Sequence, residues 1–369
     1  MASRTPQKLS NIHAELRQRI LSGDWKVGEK LPKEGELAAK FECSLGTVSK
    51  AMALLAHEGL VERRPRAGTR VLGNTPNAAG RAVRSAELDA YAFIYPSEQH
   101  EGIWRTVKGF QHAAHDAQRR VLMLTSGLDY SKEAEFIGRL GEFDVRGAVV
   151  YPNLPTTQDQ RHFEQLVADS KLPLVLAEVG VPGVTCPSVV VDGFHAGHTM
   201  AKYLIDSGLK KIGFFSNYAR LSSMRDRYLG YRWALQEAGL AEPVGGVMLE
   251  TDMNPDFSDP FADPERLANK FIAAAGQLDG VVCVDDFLAV GFLRAAKSHG
   301  LKVDNKNLRV VGIGDYAFAA KADVPLTTYR IPYEELGRNC FRLLDDLVNG
   351  IKHPVSECLV RGELVLRDS

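Results

Sequence analysis

Residues 31–71 constrain the fold more than any other stretch of the chain. Leu37, Ala38 and Phe41 put apolar residues on one face of a short helix. Phe41-Glu42-Cys43-Ser44 breaks that helix, and Ser44 is a good N-cap for a second one. Val48, Ala51, Met52, Leu54 and Leu55 give the apolar face of this second helix, which Gly59 ends. Two short helices joined by a tight turn predict a helix-turn-helix, whose second helix enters the major groove. Residues 60–71, with Arg63, Arg64, Arg66 and Arg70 around Pro65 and Gly68, read as a β-hairpin with a basic tip, a wing. The plain alternative is a small helical domain with a charged hairpin. Helix pair, cap, glycine and basic wing in this order favour a nucleic-acid reader.

At this point the chain resembles a known family. Ile20-Leu21-Ser22-Gly23, Gly28-Glu29-Lys30-Leu31-Pro32, Glu36-Leu37-Ala38, Thr47-Val48, Glu58-Gly59-Leu60-Val61 and Gly68-Thr69 are similar to the winged-helix domain of GntR-type bacterial transcription regulators, over residues 8–72. The resemblance implies that Lys33, Ser44, Leu45, Gly46, Thr47, Ser49 and Lys50 face bases or phosphates. It implies that Arg63, Arg64, Arg66, Gly68 and Arg70 of the wing hold phosphates or enter the minor groove. The chain departs from the family at Gly35 and Leu45, where arginines that touch DNA are usual. The family's usual operator sequence is therefore a poor guide here.

A chain of 369 residues is too long for one winged helix and predicts further domains. The net charge of −1 hides an asymmetry, because residues 1–72 carry 13 Lys and Arg against 8 Asp and Glu. A basic head on an acidic body suits one part on a polyanion and another on something else. Five scattered cysteines without CxxC spacing argue for reduced cytoplasmic thiols rather than a disulfide framework or zinc site. The first residues lack the apolar core of a signal peptide, and no apolar run approaches the ~18 residues of a membrane span. These features together predict a cytoplasmic location and no membrane partner.

Residues 1–7 read as a tail and 9–21 as an amphipathic helix with Ile12, Leu16 and Ile20 on one side. Residues 73–87, small and polar, read as a linker. From residue 88 continuous apolar strands alternate with helices. Strands are expected near 90–95, 121–124, 145–151, 174–177, 188–192, 211–215, 246–250, 280–284 and 309–313. Helices are expected near 103–117, 134–140, 160–170, 195–208 and 224–239. Such strands mean doubly wound parallel sheets covered on both faces, and their number calls for two α/β lobes. The domains expected are thus 1–72, the linker 73–87 and a body from 88 to 369.

The body also resembles a family. Phe93-Ile94-Tyr95-Pro96, Val191-Asp192, Arg227-Tyr228-Leu229-Gly230-Tyr231, Asp286-Phe287-Leu288-Ala289-Val290-Gly291, Val310-Val311-Gly312-Ile313-Gly314-Asp315, Pro325-Leu326-Thr327-Thr328 and Leu336-Gly337 resemble the effector domain of LacI/GalR-type regulators. The resemblance implies a two-lobed, periplasmic-binding-protein-like fold with three crossing segments, a small ligand in the cleft, and homodimerisation through this domain. A GntR-like head on a LacI-like body is similar to arabinose-responsive repressors.

Open α/β sheets bind ligands beyond the carboxyl ends of their strands. Asp192, Asp286 and Asp315 stand at such ends, and Arg227 on a nearby helix. Carboxylates accept hydroxyl hydrogen bonds and a guanidinium donates in a planar fork, which suits a polyhydroxylated ligand, a monosaccharide being expected. For Asp286 and Arg227 a salt bridge or helix cap is the competing role, and Asp192 and Asp315 could equally be caps for the helices that follow them. Trp104, Tyr95, Tyr218 and Phe287 could stack on a sugar face, although core packing is the commoner fate of each alone. The pairs His112/His115 and His195/His198 lack a further converging ligand, so neither metal nor cofactor is expected. Asp285-Asp286 is a poor glycosidase pair, because adjacent residues seldom face one substrate together.

The expected function is a sequence-specific regulator that binds double-stranded operator DNA, represses carbohydrate-utilisation genes and is released by a small sugar. The alternatives are a cytoplasmic sugar-binding protein, a sugar-processing enzyme, or a regulator whose ligand is a corepressor.

Overall fold

The computed structural model describes residues 5–41, 43–57, 60–64, 68–72, 90–154, 156–181, 183–219, 221–251, 259–351 and 356–369. The chain forms two compact units, Met1–Glu87 and Leu88–Ser369.

Among the described residues, the first unit has three helices and a hairpin. Helix α1 spans Thr5–Leu21, α2 Glu34–Lys40 and α3 Leu45–His57. Strands β1 (Val61–Arg64) and β2 (Gly68–Val71) pair antiparallel, with Arg64 opposite Gly68. Helix α1 starts at Thr5, so residues 5–7 are helix rather than tail. Pro6 fits its first turn because an N–H there would have no partner anyway. Residues 1–4, Gly59, the wing tip 65–67 and the expected linker 73–87 lie outside the described residues. Ile12, Leu16 and Ile20 pack against Leu37, Val48, Ala51, Met52 and Leu55 in a closed core that Leu60, Val61 and Val71 complete. Leu54 is the exception, 43% exposed, because it stands one step off the stripe of 48, 51, 52 and 55.

The second unit has two six-stranded sheets. In the first lobe the order is β13-β7-β6-β5-β3-β4, all parallel. These are β3 (Ala90–Tyr95), β4 (Arg120–Thr125), β5 (Ala148–Val150), β6 (Leu174–Ala177), β7 (Ser188–Val191) and β13 (Glu357–Val360). In the second lobe the order is β14-β12-β11-β10-β8-β9, parallel except for β14. These are β8 (Ile212–Ser216), β9 (Val247–Leu249), β10 (Gly280–Cys283), β11 (Arg309–Gly314), β12 (Thr327–Arg330) and β14 (Glu363–Val365).

Alternation along β3 shows how each sheet is covered. Tyr91, Phe93 and Tyr95 face one core, with helices α4 (Glu101–Asp116) and α11 (Tyr333–Val348). Ala90, Ala92 and Ile94 face the other, with α5 (Tyr130–Gly138) and α6 (Thr157–Asp169). The second lobe is covered by α7 (Gly193–Asp206) with α8 (Ser222–Glu237), and by α9 (Ala262–Ala274) with α10 (Asp286–Ser298).

The chain passes between lobes three times. It leaves the first after β7, returns between β12 and α11, and leaves again between β13 and β14. Strands β12, β13 and β14 flank these crossings, and none of them is among the strands expected from the sequence.

Candidate functional site

In the first unit, side chains are arranged around the start of α3. The Ser44 hydroxyl accepts the Thr47 N–H at 3.2 Å, which makes it the cap of the helix. It also lies 2.8 Å from the Thr47 hydroxyl, and Thr47 is buried. Thr47 therefore supports the turn. Leu45 is 57% exposed at the helix entrance, and Lys50 and Lys33 are not buried. Ser49 is partly buried. On the wing, Arg70 is exposed and its guanidinium donates to the Gly28 carbonyl at 3.3 Å, tying the hairpin to the loop before α2. Arg63 and Arg64 lie on β1, Gly68 opens β2 and Gly46 lies on α3, while Arg66 falls outside the described residues. An apolar side chain and a cation at the head of a groove-sized helix can meet a thymine methyl and a phosphate.

In the second unit, the carboxyl ends of the two sheets face each other across a cleft. Helix geometry places Arg227 there. Helices α7 and α8 touch backbone to backbone, since a Cβ on Gly197 would stand 1.8 Å from the Arg227 carbonyl and one on Gly230 2.0 Å from that of Phe194. Only glycine permits that approach. Arg227 is 2% exposed and donates through Nη1 to the Val284 carbonyl at 2.7 Å, while its Nε is buried without a partner. The Oδ1 of Asn217, just after β8, is likewise buried and unpaired. Such orphaned groups are rare inside proteins and call for a partner.

Opposite stand Tyr151 after β5 and Glu178 after β6. The Tyr151 hydroxyl donates to Glu178 at 2.7 Å. Glu178 is 8% exposed and has a left-handed φ of 62°. Strain of this kind in a non-glycine residue gathers at functional positions. Burial pushes its carboxyl up, while Tyr151 and the charge of Arg227 draw it down. Tyr316 and Tyr333 close the floor with hydroxyls 2.7 Å apart.

The residues expected to bind ligand are spread over this region. Asp286 is fully buried and accepts the Thr328 hydroxyl at 2.6 Å and the Tyr316 N–H at 3.0 Å. Burial raises its carboxyl to about 7. Asp285 caps α10 through the Leu288 N–H at 2.8 Å. Asp192 caps α7 and pairs with Arg361. Asp315 is held by Arg330 and Arg367, both at 2.6 Å. Asp192 displays the capping role weighed for it, whereas Asp315 is held in salt bridges that the sequence reading did not foresee. Phe287 packs among His100, Phe261, Tyr316 and Phe318. Trp104 is 41% exposed on α4. Tyr95 donates to Glu98 at 2.7 Å, and Tyr218 follows β8 with a left-handed φ of 50°.

Sequence reasoning missed Glu178, Tyr151, Asn217 and His100. Glu178 stands after an apolar strand, the signal that singled out Asp192, so it was within reach. His100 had no such signal. Its ring fills an aromatic slot against Phe287 and Tyr316, and burial lowers it to about 4. The lobes also meet where the Ala317 N–H donates to Glu101 at 2.8 Å and the Ser222 hydroxyl to the Gly180 carbonyl at 3.2 Å. Beside the second contact lies a polar cavity of about 530 Å³, reached by Glu178, Asp192 and Asp226.

Two parts of the chain match known families. Residues 8–71 match the family of bacterial regulatory proteins named gntR, and residues 201–369 match a periplasmic binding protein-like domain. The arabinose metabolism transcriptional repressor of Geobacillus stearothermophilus is 24% identical, covering 100% of this chain and 99% of its own. The HTH-type transcriptional regulator RegA of Clostridium saccharobutylicum is 26% identical over 81% of this chain and 86% of its own. Among solved structures, a complex of the transcriptional regulator CelR with cellobiose superposes with a TM-score of 0.66 at 21% identity. It covers 92% of this chain and 100% of its own. The transcription regulator CcpA of Lactococcus lactis gives 0.65 at 22% identity, over 75% of this chain and 97% of its own.

Proposed function

We propose that this chain, whose head matches the gntR family and whose body matches a periplasmic binding protein-like domain, is a DNA-binding transcription regulator that represses carbohydrate-utilisation genes until a small sugar enters its cleft. The observation that carries the ligand reading is the pair of buried, unpaired groups on one wall, Arg227 Nε and Asn217 Oδ1. One donates and the other accepts, so a hydroxyl-bearing ligand can satisfy both. Glu178, Asp285 and Asp286 add acceptors, and Tyr151 adds a phenol.

These carboxyl groups outnumber the guanidinium of Arg227 beside them, which favours a neutral sugar over a phosphorylated one. Likeness to an arabinose repressor and to a cellobiose-bound regulator supports the sugar class. Asp192, Asp315, Trp104 and Phe287 belong to the proposed ligand region, the first two through the crossings and the last two through the rim. In the head, Lys33, Leu45, Lys50 and the wing arginines are proposed to touch operator DNA, with Ser44 and Thr47 holding α3 in place.

Two heads are needed to read a palindrome one or more helical turns long, so the working form is proposed to be a homodimer held by the body. Thermal-shift screening against a panel of neutral and phosphorylated monosaccharides tests the ligand reading. A rise in Tm with a neutral sugar and none with its phosphate is expected. Stabilisation by phosphates alone would contradict it.

A further inference from the structure

The three crossing segments meet in one hydrogen-bonded knot. Asp192 stands on the first crossing. One of its carboxylate oxygens accepts the His195 backbone N–H at 2.8 Å, and the other accepts Arg361 Nε, from the third crossing, at 2.8 Å. Tyr329, on the last strand before the second crossing, is fully buried. Its hydroxyl oxygen accepts the Gly362 N–H of the third crossing at 2.6 Å. The same hydroxyl lies 2.8 Å from Nδ1 of His195, on the first turn of α7.

A backbone N–H can only donate, so the Tyr329 oxygen accepts from Gly362. When the imidazole is neutral with its hydrogen on Nε2, the Tyr329 proton points to Nδ1. The charged or titratable groups that face His195 are Asp192, Arg361, His198 and Tyr329. Burial, Arg361 and His198 hold its imidazole below the ordinary range, and Asp192 opposes them.

We propose that His195 and Tyr329 are positioning residues of the hinge, and that their hydrogen bond, with the Asp192–Arg361 pair, sets how far apart the two lobes stand. All three crossings must shift together when the lobes move, and this knot is where they are joined. A proton on Nδ1 leaves the Tyr329 hydroxyl hydrogen without its acceptor. The knot then loosens, and the lobes part more readily. The inference does not depend on which ligand the cleft takes.

The test uses the full-length protein with one spin label on each lobe, at the exposed positions Glu142 and Lys306, attached through bioorthogonal amino acids so that the five cysteines stay untouched. Pulsed electron resonance gives the distance distribution. At pH 8 His195→Gln and Tyr329→Phe should shift the ratio of open to closed forms by about tenfold. Lowering the parent from pH 8 to 5 should move it the same way and leave His195→Gln unmoved. Should the buried variants fail to fold, Arg361→Gln removes an exposed guanidinium and must move the distribution in the same direction. The parent's distribution in folded variants, or an acid shift as large in His195→Gln as in the parent, overturns the proposal.

Discussion

Head and body put their chemistry in opposite places. In the head, the core of Leu16, Ile20, Val48 and Met52 is apolar, while the groups that would meet DNA, such as Lys33, Leu45 and Lys50, stay at the surface. Folding and recognition use different side chains there. In the body, the cleft groups are themselves buried parts of the fold. Asp286 holds Thr328 and Tyr316, and Arg227 holds Val284. A substitution in the head should therefore change binding alone, whereas one in the cleft should change stability and binding together.

The largest effect is expected at Asp286. Asp286→Ala strands the Thr328 hydroxyl and the Tyr316 N–H inside the protein, at roughly 1–3 kcal/mol for each unsatisfied group. Differential scanning calorimetry should show a Tm lower by several degrees, and sugar affinity should fall at least about tenfold. An unchanged Tm would erase the contrast between the regions. Arg227→Ala should also weaken sugar binding by about tenfold or more, ~1.4 kcal/mol per decade, as read by titration calorimetry. If both variants bind like the parent, this cleft is not the ligand site.

The head supplies the opposite case. Lys50→Ala should lower Tm by no more than about 2–4 °C, because changes at exposed positions lie within roughly 0.5 kcal/mol, and Arg66→Ala should match it. Both should weaken operator binding across sequences and lower the slope of log affinity against log salt by about one. An unchanged slope would remove that residue from the DNA face.

A smaller effect sharpens the body side through pH. Glu133 is fully buried, accepts the Asn153 N–H at 3.1 Å, and burial pushes its carboxyl from 4.5 to about 8. The folded state thus keeps a proton that the unfolded chain loses. Its contribution is full below the unfolded value and is lost as pH rises through about 8. Glu133→Gln should flatten the fall in Tm between pH 5 and 8, and an identical fall in the variant would show that another group causes it.

The same contrast explains what could be read from the sequence. The helix pair, the stripe from Val48 to Leu55 and the cap at Ser44 are local patterns, so the head was legible almost residue by residue. Leu54 failed because it lies beside the stripe. In the body, apolar runs disclosed strands and the two-lobe count, since each run is buried on both faces. Of the strands beside the crossings, only β7 was visible. Residues 327–330, 357–360 and 363–365 are short and gain their pairing from distant partners, as Thr328 does from Val365. For the same reason the roles of Asp192 and Asp315 were ambiguous. Both stand at strand ends, and only the return of the C-terminal segment supplies Arg361 and Arg367. His100 depends on two lobes coming together, which no local pattern records.

The body's ligand is proposed to govern the head's grip on DNA. The most direct measurement is operator affinity with and without a saturating amount of the sugar that most raises Tm, paired with sugar affinity with and without operator. Operator binding should weaken in the presence of sugar by roughly five- to 150-fold, and the reverse measurement should give the same factor, because coupling between two sites is reciprocal. Equal operator affinities would leave the body without this role, and tighter binding with sugar would make the ligand a corepressor and contradict release.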